Sequence, residues 1–208
     1  MAIQNILPDP YNTITNSGDS GGVAGPGFAS MSLSSAQPIM RDRTNSGRLI
    51  SRSHAYHKWE IDITYNPLTK AEFDPVYNFL LHKQGSLKPF YVSLPQYRVQ
   101  GIADKTTTSS AVAGSTTLAC NTTGIVPGAL FRINDSGDSS HTKAYMVTRV
   151  GASSITIIPG LAKSVTSGAV VDFTDPTIKV IQTKDVQEYN LANNNLYSFS
   201  LKLEEVSQ

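Results

Sequence analysis

The 208-residue chain contains a single cysteine, Cys120, so no disulfide can close within it and no cysteine cluster can hold a metal. Charge is also scarce. Asp, Glu, Lys and Arg make up 16% of the residues and nearly cancel, leaving a net charge of +1. That balance excludes an acidic tail and a strongly basic nucleic-acid binder. No apolar run approaches the ~18 residues of a membrane helix. The opening residues, Met1-Ala2-Ile3-Gln4-Asn5, lack the basic stretch and apolar core of a secretory signal. These absences predict a protein made in a cytoplasm, with no membrane contact. What the chain does have is 39% hydrophobic residues, too many for a fully disordered polymer. Ser and Thr make up about a fifth of it, a bias that suits strands and turns.

The clearest local pattern lies at Lys58–Tyr65. Trp59, Ile61, Ile63 and Tyr65 alternate with Lys58, Glu60, Asp62 and Thr64, which predicts a strand with one buried face. Asn66-Pro67 ends it. Thr69 to Glu72 then fits a capping box, with Leu68 and Phe73 as a staple. Phe73, Val76, Tyr77, Leu80 and Leu81 fall on one helical stripe. A start at Asp74, with Pro75 in the first position, is the alternative. Gly85 is placed to cap the end, which predicts one helix over about 69–84. Phe90–Leu94 reads as a second core strand. Tyr197–Val206 alternates again, with Tyr197, Phe199, Leu201 and Leu203 on one face.

Between these pieces the texture changes. Residues 99–175 hold five short β-like runs separated by Gly, Ser and Asn turns, which predicts a small barrel. Residues 1–38 are poor in charge and rich in Gly, Ser, Asn and Pro, and read as an arm or loop, mobile around Asn16–Gly22. Thr44-Asn45-Ser46-Gly47 reads as a turn between two extended pieces. The expected organisation is therefore an arm at 1–38, a main domain made of 39–98 and 176–208, and an insert at 99–175. The fold class is mainly β (α+β). Trp59, Ile61, Phe73, Leu80 and Phe199 are its expected core anchors.

No string carries catalytic chemistry. Gly18-Asp19-Ser20-Gly21-Gly22 is similar to the nucleophile segment of chymotrypsin-like proteases, but no histidine precedes Ser20. It lies in a chain too glycine-rich for the helix a nucleophile elbow requires. His54 and His57 are three apart in an extended stretch, which places them on opposite faces rather than around a metal. Asn134–Asp138 lacks the alternating acids of a calcium loop and reads as a turn. Cys120 lies in an apolar run and reads as a buried small hydrophobe. No enzyme activity, metal or cofactor is expected. Arg41, Arg43, Arg48, Arg52 and Lys58 form the one local basic excess, offset in part by Asp42 and Glu60. They are assigned to ion pairs at a subunit contact, with Glu188, Glu204 and Glu205 as their acidic counterparts; a solvated face and a nucleic-acid contact are the alternatives.

Several segments in their order resemble the distal tail proteins of long-tailed bacteriophages. They include Leu7-Pro8-Asp9-Pro10-Tyr11, Ile39-Met40-Arg41-Asp42 and Tyr56-His57-Lys58-Trp59-Glu60-Ile61-Asp62-Ile63-Thr64-Tyr65. Leu94-Pro95-Gln96-Tyr97, Gly128-Ala129-Leu130-Phe131, His141–Thr148 and Ile158-Pro159-Gly160-Leu161 follow, and Asn193–Leu201 completes the series. The resemblance implies a β-sandwich-like tail domain with one helix, completed by the C-terminal strand, and an inserted oligonucleotide/oligosaccharide-binding-type (OB-like) barrel. It implies a structural virion protein at the tail tip, assembled in the host cytoplasm. Six copies would form a ring joining the tail tube protein to the baseplate hub or central fibre, and DNA would pass through the lumen without specific binding. A carbohydrate-binding adhesin module, or a tube-end adaptor of a contractile-tail baseplate, is the alternative reading.

Overall fold

The structure is a computed structural model and describes residues 5–53, 56–186, 188–192 and 194–206. The fold is mainly β. The chain first forms β1 (Phe28–Ala36), β2 (Ile39–Arg43), β3 (Leu49–Ser53), β4 (Lys58–Tyr65), α1 (Lys70–Lys83), β5 (Phe90–Ser93) and the short α2 (Pro95–Arg98). It continues through β6 (Lys105–Thr106), β7 (Thr117–Ala119), β8 (Leu130–Asn134), β9 (Ala144–Val150), β10 (Ser154–Ile158) and β11 (Val170–Asp172). It returns through β12 (Thr177–Gln182), β13 (Asn190–Leu191) and β14 (Tyr197–Ser198), and ends in β15 (Ser200–Glu205).

The main sheet has the order β1-β4-β15-β12-β5, with every neighbouring pair antiparallel. Period two sets its faces. Trp59, Ile61, Ile63 and Tyr65 are buried, and Leu203 and Leu201 stand across from Ile61 and Ile63. Ile61, Phe73, Leu80 and Phe199 all lie in the same core as Trp59. The other face carries Ser30, Ser32 and Ser34 beside Thr64, Asp62 and Glu60.

α1 covers the apolar face. Of the two possible starts, the structure takes the earlier one. Glu72 Oε2 accepts hydrogen bonds from Thr69 N at 2.9 Å and Thr69 Oγ1 at 2.7 Å, and Pro75 sits buried inside the helix. The helix ends on Gln84 and Gly85, both left-handed. Gly85 has a second reason to be glycine, because a Cβ there would lie 2.9 Å from Asp185 Cα. The buried face differs from the expected stripe. Phe79 is fully buried, edge-on to Phe90 at 5.4 Å, whereas Leu81 is exposed.

Residues 5–27, expected as an arm, are folded back onto the main domain. Leu7 and Ile14 belong to its core. Asp9 accepts from Tyr11 N, Asn12 N and Asn12 Nδ2, closing a tight turn. Ile14 and Val23 exchange backbone hydrogen bonds, and Asn78 of α1 donates to Asn16 O. Glycine allows the turn between them, since Gly18, Gly21 and Gly22 all have positive φ. Residues 28–36, read from the sequence as part of the arm, form β1 of the main sheet. At the opposite edge, Leu7 N donates to Tyr91 O and Tyr91 N to Asn5 O, so residues 5–7 cover β5.

The intervening segment forms a second sheet, β6-β11-β8-β9-β10-β7. It curls until its outer strands meet at a Thr107–Cys120 bridge and a hydrogen bond from Thr108 N to Ala119 O. Phe131, Tyr145 and Phe173 fill its interior. Leu130 and Ala144, one residue out of phase on the same strands, pack into the main core instead. The two crossings are tied together where they pass. Asp104 Oδ1 accepts from Phe173 N and from Thr174 N and Oγ1, and Gln100 Nε2 donates to Phe173 O and Leu130 O.

Candidate functional site

Two features stand out once the sheets are in place: a projecting hairpin and a polar seam. β2 and β3 pair only with each other, in register from Ile39–Ser53 to Arg43–Leu49. The expected turn is present, with Thr44 N bonded to Arg48 O and Gly47 at φ +81°. Alternation around this register puts Ile39, Arg41, Arg43 and Leu49 on one face, and Met40, Asp42, Ile50 and Arg52 on the other. Both faces therefore mix aliphatic and guanidinium groups. Ile39, Met40, Leu49 and Ile50 are all exposed, Met40 at 60% and Leu49 at 58%. Arg41, Arg43, Arg48 and Arg52 are exposed too, and among the described residues none is paired with a carboxylate. An isolated two-stranded ribbon is marginal in water, and this one carries four exposed aliphatic side chains.

The acidic residues assigned as partners lie in different settings. Glu188 is exposed. Glu204 is bound within its own chain, with Lys58 Nζ 2.6 Å from its carboxylate and 3.0 Å from Glu60. These hydrogen bonds push the Lys58 ammonium upward. Glu205 is not an inter-subunit group at all. It is fully buried, forms an ion pair with Lys143 and accepts hydrogen bonds from Ala144 N and Trp59 N. Period two places it inward with Leu201 and Leu203, a signal present in the sequence and missed.

That buried carboxylate is the centre of the seam. Lys143 Nζ also donates to His57 O at 2.7 Å, and Trp59 Nε1 donates to Ala144 O at 3.0 Å. His57 stands edge-on to Trp59 at 4.6 Å, and its Nε2 lies 2.9 Å from Ser35 Oγ. β1, β4 and β15 of the main sheet thus grip the start of β9. Burial pushes the Glu205 carboxyl up, opposed by the Lys143 charge and by the Ala144 and Trp59 N–H groups. Burial, then the Lys143 charge, lowers His57 to about 4. Trp59, expected as a core anchor, lies in the main core and also anchors this seam. His57 is a buried structural histidine, and His54 lies outside the described residues.

The remaining candidates are structural. Asp135 accepts from Gly137 N and from Thr166 N and Oγ1, which lowers its carboxyl and closes a turn. Ser20 bridges to Ile14, and no histidine hydrogen-bonds it among the described residues. Cys120 is buried and its thiol is pushed up by burial. An open cleft of about 650 Å³ runs between Tyr11, Tyr91, Arg132 and Thr177. Its lining cation is engaged internally, since Arg132 donates to Thr177 Oγ1 at 2.9 Å, and neighbouring Arg98 lies 4.3 Å over the Tyr11 ring.

Two comparisons with known proteins bear on these surfaces. Residues 7–97 match the family described as distal tail protein pb9, A domain, N-terminal. The chain is also 29% identical over 213 residues to distal tail protein pb9 of Escherichia phage T5, covering 96% of this chain and 98% of that protein. The resemblance to distal tail proteins drawn from the sequence holds along nearly the whole chain.

Proposed function

We propose that the protein is a structural component of a phage tail and acts as a distal tail protein at the tail tip. The similarity to distal tail protein pb9 over 96% of the chain carries this reading. In it, six copies form a ring that joins the tail tube protein to the baseplate hub or central fibre. The exposed hairpin with Arg41, Arg43, Arg48 and Arg52 supplies a surface that needs covering, as a subunit contact requires. The near-neutral chain suits a lumen that passes DNA without holding it, since tight phosphate contacts would slow ejection. The protein works by assembly, without catalysis, and is made in the host cytoplasm.

The carbohydrate-binding alternative finds less support. Sugar sites present aromatic faces with a few polar groups. Phe131, Tyr145 and Phe173, the aromatics of the insert, are fully buried against one another. Cryo-electron microscopy of intact tails tests the proposal. Six copies at the distal end of the tube are expected. Three copies at a fibre tip, or a place in the capsid, would sink it.

A further inference from the structure

We propose that the β2–β3 hairpin of one copy docks head-to-tail in an apolar groove at the other end of the next copy. The inference rests on the ring reading and names the two surfaces that close it.

The groove lies between residues 14–26 and the first half of α1. It measures about 170 Å³ and is lined by Ile14, Val23, Pro26, Ala71, Glu72 and Pro75. That is too small for an ordinary small-molecule ligand, and it suits an aliphatic anchor side chain of the kind that centres protein interfaces. Val23 on its rim is exposed. The one charged group in the lining is acidic, Glu72, with Asp74 two residues along the helix; Lys70 is the one cation of that first turn. The hairpin has the complementary character: Ile39, Met40, Leu49 and Ile50 among four arginines and one aspartate. Setting those five charges aside leaves the rest of the chain with two more acidic than basic groups. The ribbon therefore carries the positive charge that the body lacks.

Geometry makes the contact intermolecular. The groove wall, Val23 to Pro26, runs directly into the start of β1, and the hairpin begins just past its end. β1 is nine residues of extended chain, roughly 30 Å. The ribbon and its receptor thus flank opposite ends of one strand. A contact between two different patches is heterologous, and it generates a ring when the rotation closes.

Cysteine cross-linking of the full chain tests this, because native Cys120 is buried and does not compete. Ile50→Cys and Ala71→Cys chains, mixed under mild oxidation, are expected to form a disulfide-linked pair, while neither alone forms it. The doubly substituted chain should give a ladder ending at the closed ring. Ala71→Trp, which fills the groove from an exposed helix position, should lower the assembled fraction about tenfold with the melting temperature unchanged. Assembly without the Ile50–Ala71 cross-link, and unaffected by Ala71→Trp, removes this contact but leaves the ring standing. A chain that stays monomeric in solution and absent from tails overturns both. Cross-linking of the hairpin cysteine to a different tail protein overturns the head-to-tail contact alone.

Discussion

Lys143 and Glu205 form an ion pair that is closed to solvent on both sides, with side chains 6% and 0% exposed. One residue leads into β9 and the other ends β15, so the pair couples the insert to the main sheet. Lys143→Met leaves a carboxylate buried without its counter-charge. A loss of about 3–5 kcal/mol in unfolding free energy is expected. Denaturant titration measures it, and a change near zero would mean that water reaches the pair.

Trp59 contributes through its ring and through one hydrogen bond, and two substitutions separate these. Trp59→Phe keeps most of the buried surface but leaves Ala144 O without its donor, and should cost about 1 kcal/mol. Trp59→Ala should cost about 3–5 kcal/mol. Equal costs would show that the hydrogen bond carries the whole effect.

His57 gives the seam a pH dependence of definite sign. Its ordinary value is 6.5 and its folded value about 4. Unfolded chains take up this proton near pH 6.5, whereas the native state resists until about pH 4. Stability is therefore complete above pH 6.5 and falls between pH 6.5 and 4, by about 3 kcal/mol. His57→Gln removes that component. The wild-type minus variant difference in unfolding free energy should shrink across this window, and a difference flat in pH would exclude the mechanism.

Gly25 tests whether residues 5–27 are folded in. A Cβ at this position would lie 2.6 Å from Asp9 N and 2.7 Å from Pro8 C, both rigid backbone. Gly25→Ala is expected to destabilise the protein by about 1–3 kcal/mol and to raise protease sensitivity around Asn16–Gly22. An unchanged melting temperature would return this segment to the status of a loose arm.

The strands were legible wherever period two ran against water, as at Lys58–Tyr65 and Ser200–Glu205, and the helix start was legible from the Thr69–Glu72 spacing. The flank of the α1 stripe that would be buried was not. Leu81 and Phe79 lie on either side of Leu80, both apolar, and only the position of Phe90 decides for Phe79. The N-terminal segment was misread because Gly, Ser, Asn and Pro mark both mobile chain and tight turns; the isolated apolar residues Leu7 and Ile14 decide the matter by packing, over distances no local window covers. In the site, the hairpin turn and its arginines were readable. Weighing charge over alternation assigns Glu205 to a subunit contact, whereas parity with Leu203 and Tyr145 points Glu205 and Lys143 inward.

The covering of β5 by residues 5–7 leaves the main sheet monovalent. Among the described residues, β1 is the edge with no strand along its outer side, and its nine residues include no proline or charge to blunt it. A sheet with two open edges can add copies without limit and grow into fibres. A sheet with one can pair once and then stop. Residues 5–7 therefore close one of the two edges through which strand-to-strand growth of this sheet could run.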